Sequence, residues 1–391
     1  MPRLADKGVV PRLRDIVAEL EARYDPTWAE PWDAVGLVCG DPEADVRRVL
    51  FAVDPVEVVV DEAISTGADL VVTHHPLYLG GTTGVAATTA KGRVVHRLVT
   101  GGIGLYVAHT NADVAAPGVS DALADEIGLD GVRPLQPQPG QPQDKIVTFV
   151  PAGDVDRLLD AMTAAGAGQI GDYDRCAFLA DGTGTYRAGE RTNPVVGRPG
   201  EVTRTSEVRV EMVSPRARRS AVLRALLDVH PYEEPAWDVI ELAVMPGARG
   251  LGRVGVLAAP MTLAELTAHV ATVLPATAWG VRAAGDPARV VRTVAVCGGS
   301  GGDLAPAAAR AGADVLVTSD LKHHATSETV EDDVVALIDA AHWATEWPWL
   351  SVAAAALATT VETSVSTTVT DPWTVHTHSP PADNTADRTA D

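Results

Sequence analysis

One stretch of this chain occurs twice. Thr66-Gly67-Ala68-Asp69-Leu70-Val71-Val72-Thr73 reappears far downstream as Ala311-Gly312-Ala313-Asp314-Val315-Leu316-Val317-Thr318. Self-similarity within one chain constrains a fold more tightly than composition does, because each copy must build a related unit. In both copies a Gly-Ala-Asp turn leads into an unbroken apolar run, the pattern of a buried strand in an α/β protein. A second echo follows: Ala108-His109 has Asp113 four residues on, and Ala341-His342 has Glu346. We therefore expect two similar α/β lobes, related by a pseudo-twofold axis, each carrying a His-x-x-x-carboxylate element.

The rest of the chain fits around that duplication. Helices are expected over 13–24, 55–66 and 91–100, with strands over 46–53, 69–73 and 104–108, so the first lobe spans 1–132. Residues 133–144, rich in Pro and Gln without a hydrophobic period, read as a linker. From 145 to 248 the order changes to strand 145–150, helix 155–165, strand 208–213, helix 216–229 and strand 237–242. That is an inserted ferredoxin-like α+β module, in which Gly166-Ala167-Gly168 and Gly182-Thr183-Gly184 supply turns. The second lobe follows over 249–361, with strands near 254–257, 279–284 and 291–296. Beyond it, 362–391 is so rich in Thr, Ser, Pro and Asp that a disordered tail is expected.

Charge narrows the function classes. The 391 residues hold 52 acidic and 31 basic side chains, a formal charge of −21 that repels nucleic acid and anionic membranes. No apolar run approaches the roughly 18 residues of a membrane span, and no signal core opens the chain, so a cytoplasmic protein is expected. Cys39, Cys176 and Cys297 are far apart and form no CxxC pair, which reads as reduced thiols.

The chemistry concentrates where strands end. The first repeat strand runs into His74-His75-Pro76, whereas its counterpart runs into Ser319-Asp320. Ligands of α/β folds gather at the carboxyl ends of strands. Together with His109, Asp113, His342 and Glu346 this makes four imidazoles and two carboxylates, a nitrogen-and-oxygen set suited to Zn, Fe or Mn. The set is too rich for one open catalytic zinc, which normally takes three ligands. It suits two divalent ions per subunit, with a carboxylate bridging them and positions left for water. Gly298, Gly299, Ser300 and Gly301 precede a helix and form either a phosphate-binding loop or a flexible turn. His323-His324 either meets substrate or is a solvated pair, and His230-Pro231-Tyr232-Glu233-Glu234-Pro235 reads as a structured turn before a strand. No Ser-His-Asp or reactive-cysteine arrangement is visible.

These residues resemble a known family. Trp32-Asp33-Ala34-Val35-Gly36-Leu37, Thr73-His74-His75-Pro76, His109-Thr110-Asn111-Ala112-Asp113, Cys297-Gly298-Gly299-Ser300-Gly301, and His342 with Glu346 are similar to the Ngg-interacting-factor-three-like dinuclear metal centre family. Its bacterial members are often labelled GTP cyclohydrolase 1 type 2 homologues, and its longer members carry a PII/CutA-like insert in the place of 145–248. The resemblance implies a toroidal homohexamer with metal ligands at His74, His75, Asp113, His342 and Glu346, and with His109 as a ligand or a neighbour of one. It implies a metal-dependent hydrolase of GTP-cyclohydrolase-like type acting on a nucleotide or related small molecule; for such a reaction we expect His324 to shuttle protons. The alternative is a metal-binding regulatory or scaffold protein whose insert senses a small molecule. The family's Thr-Gly-Asp stands here as Thr318-Ser319-Asp320 and its Tyr-His as His323-His324, departures that bear on substrate preference.

Overall fold

The structure is a computed structural model that describes residues 10–377. Its contacts divide the chain into two compact units: one combines the chain up to residue 138 with the chain from 248 onward, and the other is 139–247. Residues 1–9 of the expected first lobe and 378–391 of the expected tail lie outside the described residues.

The first unit begins with α1 (Leu13–Arg23), β1 (Gly36–Cys39), β2 (Arg48–Ala52), α2 (Glu57–Thr66), β3 (Leu70–Thr73), α3 (Ala90–Gly101), β4 (Gly104–Val107), α4 (Thr110–Val114), α5 (Val119–Ile127) and β5 (Leu129–Pro139). The second unit holds β6 (Gln143–Val150), α6 (Val155–Ala164), β7 (Phe178–Arg187), β8 (Val202–Pro215), α7 (Arg219–Val229) and β9 (Trp237–Glu241). The first unit then resumes with β10 (Pro246–Thr262), α8 (Leu263–Val273), β11 (Val281–Ala284), β12 (Val290–Val296), α9 (Ala305–Arg310), β13 (Val315–Ser319), α10 (His323–Glu331), β14 (Ala336–Ala340), α11 (His342–Leu357) and β15 (Glu362–Val365). Among the described residues, no helix is long and apolar enough to cross a membrane.

Two mixed sheets make the first unit. One runs β1-β4-β3-β2-β15 and the other β11-β14-β13-β12-β10-β5. In each, three consecutive parallel strands (β2, β3, β4 and β12, β13, β14) end on an antiparallel edge strand, β1 or β11. Side chains alternate across each strand, so every sheet buries two faces. On the first sheet Leu50, Ala52, Val71 and Leu105 pack outward under α2 and α3, while Val49, Phe51, Leu70 and Val72 face a core shared with α1, α5 and α11. Val294, Val296, Val315, Val317 and Ile338 of the second sheet reach the same core. The layer of helices that both sheets cover includes α11, which buries Trp343, Trp349, Leu350, Ala353 and Leu357.

The repeated Gly-Ala-Asp has a backbone purpose in both copies. Gly67 and Gly312 take positive φ (66° and 77°), a conformation cheap only for glycine. Asp69 Oδ2 then accepts the backbone N–H groups of Arg47 and Arg48 at 2.7 and 3.0 Å, and Asp314 Oδ2 accepts those of Arg292 and Thr293, both at 2.8 Å. Each aspartate thus ties the start of its own strand to the start of the strand beside it.

Three sequence expectations are corrected. Residues 133–144 are not a linker: β5 takes them to Pro139 as the edge of the second sheet, and β6 begins at Gln143. An edge strand tolerates the missing proline N–H groups, so Pro134, Pro137 and Pro139 did not forbid it. The segment from 362 is not disordered as far as residue 377. Its β15 pairs in parallel with β2, and its hydroxyls bond to buried-side carboxylates: Ser366 and Thr368 both donate to Glu62 Oε2, at 2.6 and 2.9 Å. Gly182-Thr183-Gly184 is no turn but the middle of β7, where a Cβ on Gly184 would lie 2.0 Å from Glu207 Oε2 on the neighbouring strand.

The second unit is built as β-α-β-β-α-β, with an antiparallel sheet in the order β7-β8-β6-β9. Numbered by chain position within the unit the order reads 2-3-1-4, the split βαβ arrangement of ferredoxin-like folds. One face, through Ile146, Val150, Val210 and Met212, is covered by α6 and α7.

Candidate metal centre

Three strand ends and two helix starts deliver the site. His74 and His75 follow β3, His109 caps α4 after β4, and Asp113 sits one turn along α4. From the other sheet, β14 delivers His342 to the start of α11 and Glu346 one turn later, within hydrogen-bonding reach of each other because residues four apart share a helix face. All six belong to the first unit.

The four imidazoles form a tight group. Ring centroids lie 5.2 Å apart for His74 and His75, 5.1 Å for His74 and His109, 5.7 Å for His75 and His109, and 5.1 Å for His75 and His342. Glu346 lies among three of them. Its Oε1 lies 3.0 Å from His342 Nε2 and 3.4 Å from His74 Nε2, and its Oε2 lies 3.0 Å from His75 Nε2. Asp113 Oδ1 approaches His74 Nε2 at 3.6 Å.

Every ring nitrogen on the opposite side is occupied. Nδ1 of His74 donates to the carbonyl of Ala108 at 2.9 Å, that of His75 bonds to Asp54 at 2.7 Å, that of His109 to Asp33 at 2.8 Å, and that of His342 to Asp320 at 2.6 Å. A carboxylate or carbonyl on one nitrogen fixes the ring and turns the other nitrogen toward a ligand, as is usual around metal-binding histidines. Asp33 is itself locked by the backbone N–H and hydroxyl of Thr110, at 3.0 and 2.5 Å.

These residues fit a cation. His74 is wholly buried, yet its Nε2 has no hydrogen-bond partner, and neither has Glu346 Oε2, whose contact with His75 is close but misaligned. Two sets of three ligand atoms lie within 4.8 Å of one another: His74, His75 and His109, and His75, His342 and Glu346. Electrostatics point the same way. Burial alone would lower the His75 imidazole, yet Glu346 and Asp54 push it up to about 11. Burial would lower His342 as well, yet Glu346 and Asp320 push it up to about 9. Burial would raise Glu346, but His75, His342 and His74 hold it well below the usual carboxylate range. Asp113 is raised by burial, which outweighs the pull of His74. The site is thus a carboxylate that gathers positive charge, carried by protons where no metal carries it.

The other candidate residues fare differently. In the Gly298 to Gly301 segment, expected as a phosphate-binding loop or a turn, three N–H groups are spent inward: Gly298 on Ser120 at 3.4 Å, Gly299 on Thr345 at 2.9 Å, and Gly301 on Thr318 at 2.8 Å, while Ser300 is exposed. Its glycines serve close approach. A Cβ on Gly299 would lie 2.4 Å from Glu346 Oε1, and φ there is 65°. His324 is exposed on α10 with its ring against His323 at 5.2 Å, and no contact joins it to the four-imidazole group among the described residues. The residue of that segment that does reach the site is Asp320, turned back by a positive φ of 56°. His230 and Tyr232 lie in the second unit, where His230 Nε2 donates to the carbonyl of Phe149 at 3.0 Å and Tyr232 donates to Glu207 at 2.8 Å.

The orienting role of Asp33, Asp54 and Asp320 escaped sequence reasoning. Asp33 and Asp320 stood within motifs already singled out, but only geometry shows which atom faces a ring.

Known proteins resemble this chain over most of its length. The family model described as Duf34/NIF3 (NGG1p interacting factor 3) matches residues 11–372. A Mycobacterium leprae protein named "GTP cyclohydrolase 1 type 2 homolog" is 47% identical over 367 residues, covering 93% of this chain and 95% of the relative. A Streptomyces coelicolor protein of the same name is 41% identical, covering 95% and 97%. The crystal structure of a Bacillus cereus protein related to NIF3 superposes with a TM-score of 0.75 at 34% identity, covering 94% of this chain and 99% of that one.

Proposed function

The chain belongs to the Duf34/NIF3 family, and from that premise we propose that it is a dinuclear metal-binding hydrolase of GTP-cyclohydrolase-like type. Its substrate is a nucleotide or related small molecule, the class named by the curated relatives. The observation that carries this reading is the set of four imidazoles, each held at Nδ1, of which His74, His75 and His342 turn Nε2 toward one buried carboxylate, Glu346. Zn, Fe or Mn all suit such ligands.

Bound divalent ions would supply Lewis acidity and a water of lowered pKa. The chain's own residues do the rest. Glu346 and His75 stand between the two ligand sets, so they tie them together. The sets differ, one offering three imidazoles and the other two imidazoles and a carboxylate, so the two metal positions are chemically unequal. Asp33, Asp54 and Asp320 hold their rings against rotation, and Asp113, mostly buried with Oδ1 3.6 Å from His74 Nε2, would complete the ligand set beside His74.

Further parts of the reading concern architecture. Matching strand order in the two sheets, together with the paired Asp69 and Asp314 clamps, supports an internal duplication. The ferredoxin-like topology of 139–247 supports a PII/CutA-like insert. We propose that the protein works as a homohexamer, checked by light scattering of the purified protein, in the cytoplasm, checked by cell fractionation.

The deciding experiment is metal analysis followed by a nucleotide hydrolysis screen of the wild type, His75→Ala and Glu346→Ala. Two ions per subunit and metal-dependent turnover, both lost in the variants, are expected. A folded, metal-loaded protein that turns over no nucleotide would support the regulatory reading instead.

A further inference from the structure

The second unit has a cavity of its own, of about 650 Å3, a size usual for small-molecule sites. It opens on the sheet face that α6 and α7 leave uncovered. Side chains alternate along β8, so with Val208 and Val210 against the helices, Glu207 and Arg209 point the other way. Arg209 lies in one cross-strand row with Phe149 and Ala180, and all three line the cavity. Two motifs that the metal centre does not use meet there: the Gly182-Thr183-Gly184 stretch of β7, and the turn that carries Tyr232, Glu233 and Glu234.

One carboxylate is set into this cavity. Glu207 faces Gly182 across the pair of β7 and β8, and its carboxyl fills the space that a Cβ on Gly184 would need. Its Oε1 accepts the Tyr232 hydroxyl at 2.8 Å. Tyr232 is placed in turn by His230, whose Nδ1 accepts the Tyr232 N–H at 3.1 Å while its Nε2 donates to the carbonyl of Phe149. Burial first, and Glu207 after it, push the Tyr232 phenol up to about 12, so it remains a donor. Gly182, Gly184 and Tyr232, which surround the carboxyl, all line the cavity and so fix it on the wall. Glu207 is only 9% exposed. Its Oε2 accepts no hydrogen bond among the described residues, yet it is not sealed from solvent, so the surface left to it opens on the cavity. A carboxylate oxygen so placed calls for a donor from outside the chain.

The neighbouring charges decide what kind of donor. Asp181, Glu207, Glu233 and Glu234 line the cavity against Arg187 and Arg209. Arg209 is already committed: it donates to Glu211 at 2.8 Å, and its guanidinium lies 5.6 Å from the centre of the Phe149 ring. A phosphate or carboxylate would therefore meet a surplus of negative charge. A bare metal ion would lack ligands, since among the described residues no three ligand atoms of this unit lie within 4.8 Å of one another. Ala180, Ala188 and Val195 give an apolar body something to lie against.

We propose that this cavity binds a small organic cation, an amine or guanidine with an apolar body, whose N–H is given to Glu207 Oε2. The site goes beyond the hydrolase reading and does not rest on it.

The test uses full-length protein and titration with phenethylamine, phenethyl alcohol and phenylpropionate, followed by calorimetry. The three share a ring and a short chain and differ in the charge at its end. The amine should bind about tenfold more tightly than the alcohol, and the carboxylate more weakly than either. Glu207→Gln, which keeps the shape and an acceptor for Tyr232, should bring the amine down to the level of the alcohol. Gly184→Ala, which pushes the carboxyl aside, should weaken the amine as well. Metal content of both variants should match the wild type, because every proposed ligand lies in the other unit. The comparison of the three probes on the wild type stands even where a variant fails to fold. An amine that fails to bind or binds no more tightly than the alcohol, or one that a folded Glu207→Gln protein binds as the wild type does, overturns the site and leaves the metal reading untouched.

Discussion

At the scale of single residues, the site works because each imidazole has one nitrogen engaged elsewhere. Removing an orienting acid should therefore loosen the metal without removing a ligand. Asp54→Ala and Asp320→Ala are expected to lower metal affinity by roughly 10–100-fold, whereas Glu346→Ala should abolish it, as read by metal-to-protein ratios at graded chelator concentrations. Gly299→Ala is expected to displace Glu346, because the new methyl would occupy the space of Oε1 at a backbone angle hostile to side chains. Loss of metal with retained secondary structure by circular dichroism is the expected signature. The ligand types were legible from residue identity and spacing, since His-x-x-x-carboxylate after related strands narrows the choices. The repeat already set Asp320 opposite His75; what spacing could not reveal is that Asp320 serves the metal side through His342 rather than directly. Ser319, the counterpart of His74, is buried and bonded to Thr345 at 3.0 Å, so the second copy has traded a ligand for support.

At the scale of elements, the regions misread from the sequence share one cause: they are strands whose polar or proline-rich composition lacks a hydrophobic signature. β5 lies at an edge, β7 also lies at an edge, and β15 is held as much by hydroxyl-carboxylate bonds as by apolar packing. Ending the chain at Val361 should therefore cost stability, since it strips β2 of a parallel neighbour and leaves Glu62 and Asp54 without their hydroxyl partners. A lower melting temperature and weakened metal retention are expected together. Within the second unit, the Asp144 side chain is fully buried and held by Arg219 at 2.8 and 2.9 Å and by Arg216 at 3.2 Å. Arg219 first, and Arg216 after it, hold this carboxyl below the usual range. A group depressed in the folded state adds stability above its unfolded value, about 3.9, and loses it as the pH falls through the folded value. Acidification below about pH 4 should thus destabilise the wild type more steeply than Asp144→Asn, as followed by denaturant midpoints across pH.

At the scale of the whole molecule, the candidate ligands and their orienting acids all come from the first unit, and the chain leaves and re-enters that unit at one place. Gln138 and Arg249 are in contact at 3.4 Å, and a Cβ on Gly250 would lie 2.2 Å from the carbonyl of Gln136, so the two crossing points are neighbours. Replacing 139–247 with a short turn is expected to leave metal stoichiometry unchanged, as measured on the monodisperse deletion protein. Loss of metal from a folded deletion variant would contradict the division into units. The duplication was legible because a repeat of backbone-directing residues, Gly-Ala-Asp, survives where the chemistry around it has diverged. The division of the ligands between two stretches of chain has a consequence in time. A ribosome delivers the chain from its amino end, so His74, His75 and His109 emerge early, while the helix bearing His342 and Glu346 is made only after the second unit. A growing chain can therefore gather the set of three imidazoles long before the set that contains Glu346, and the two positions become available to metal at different times.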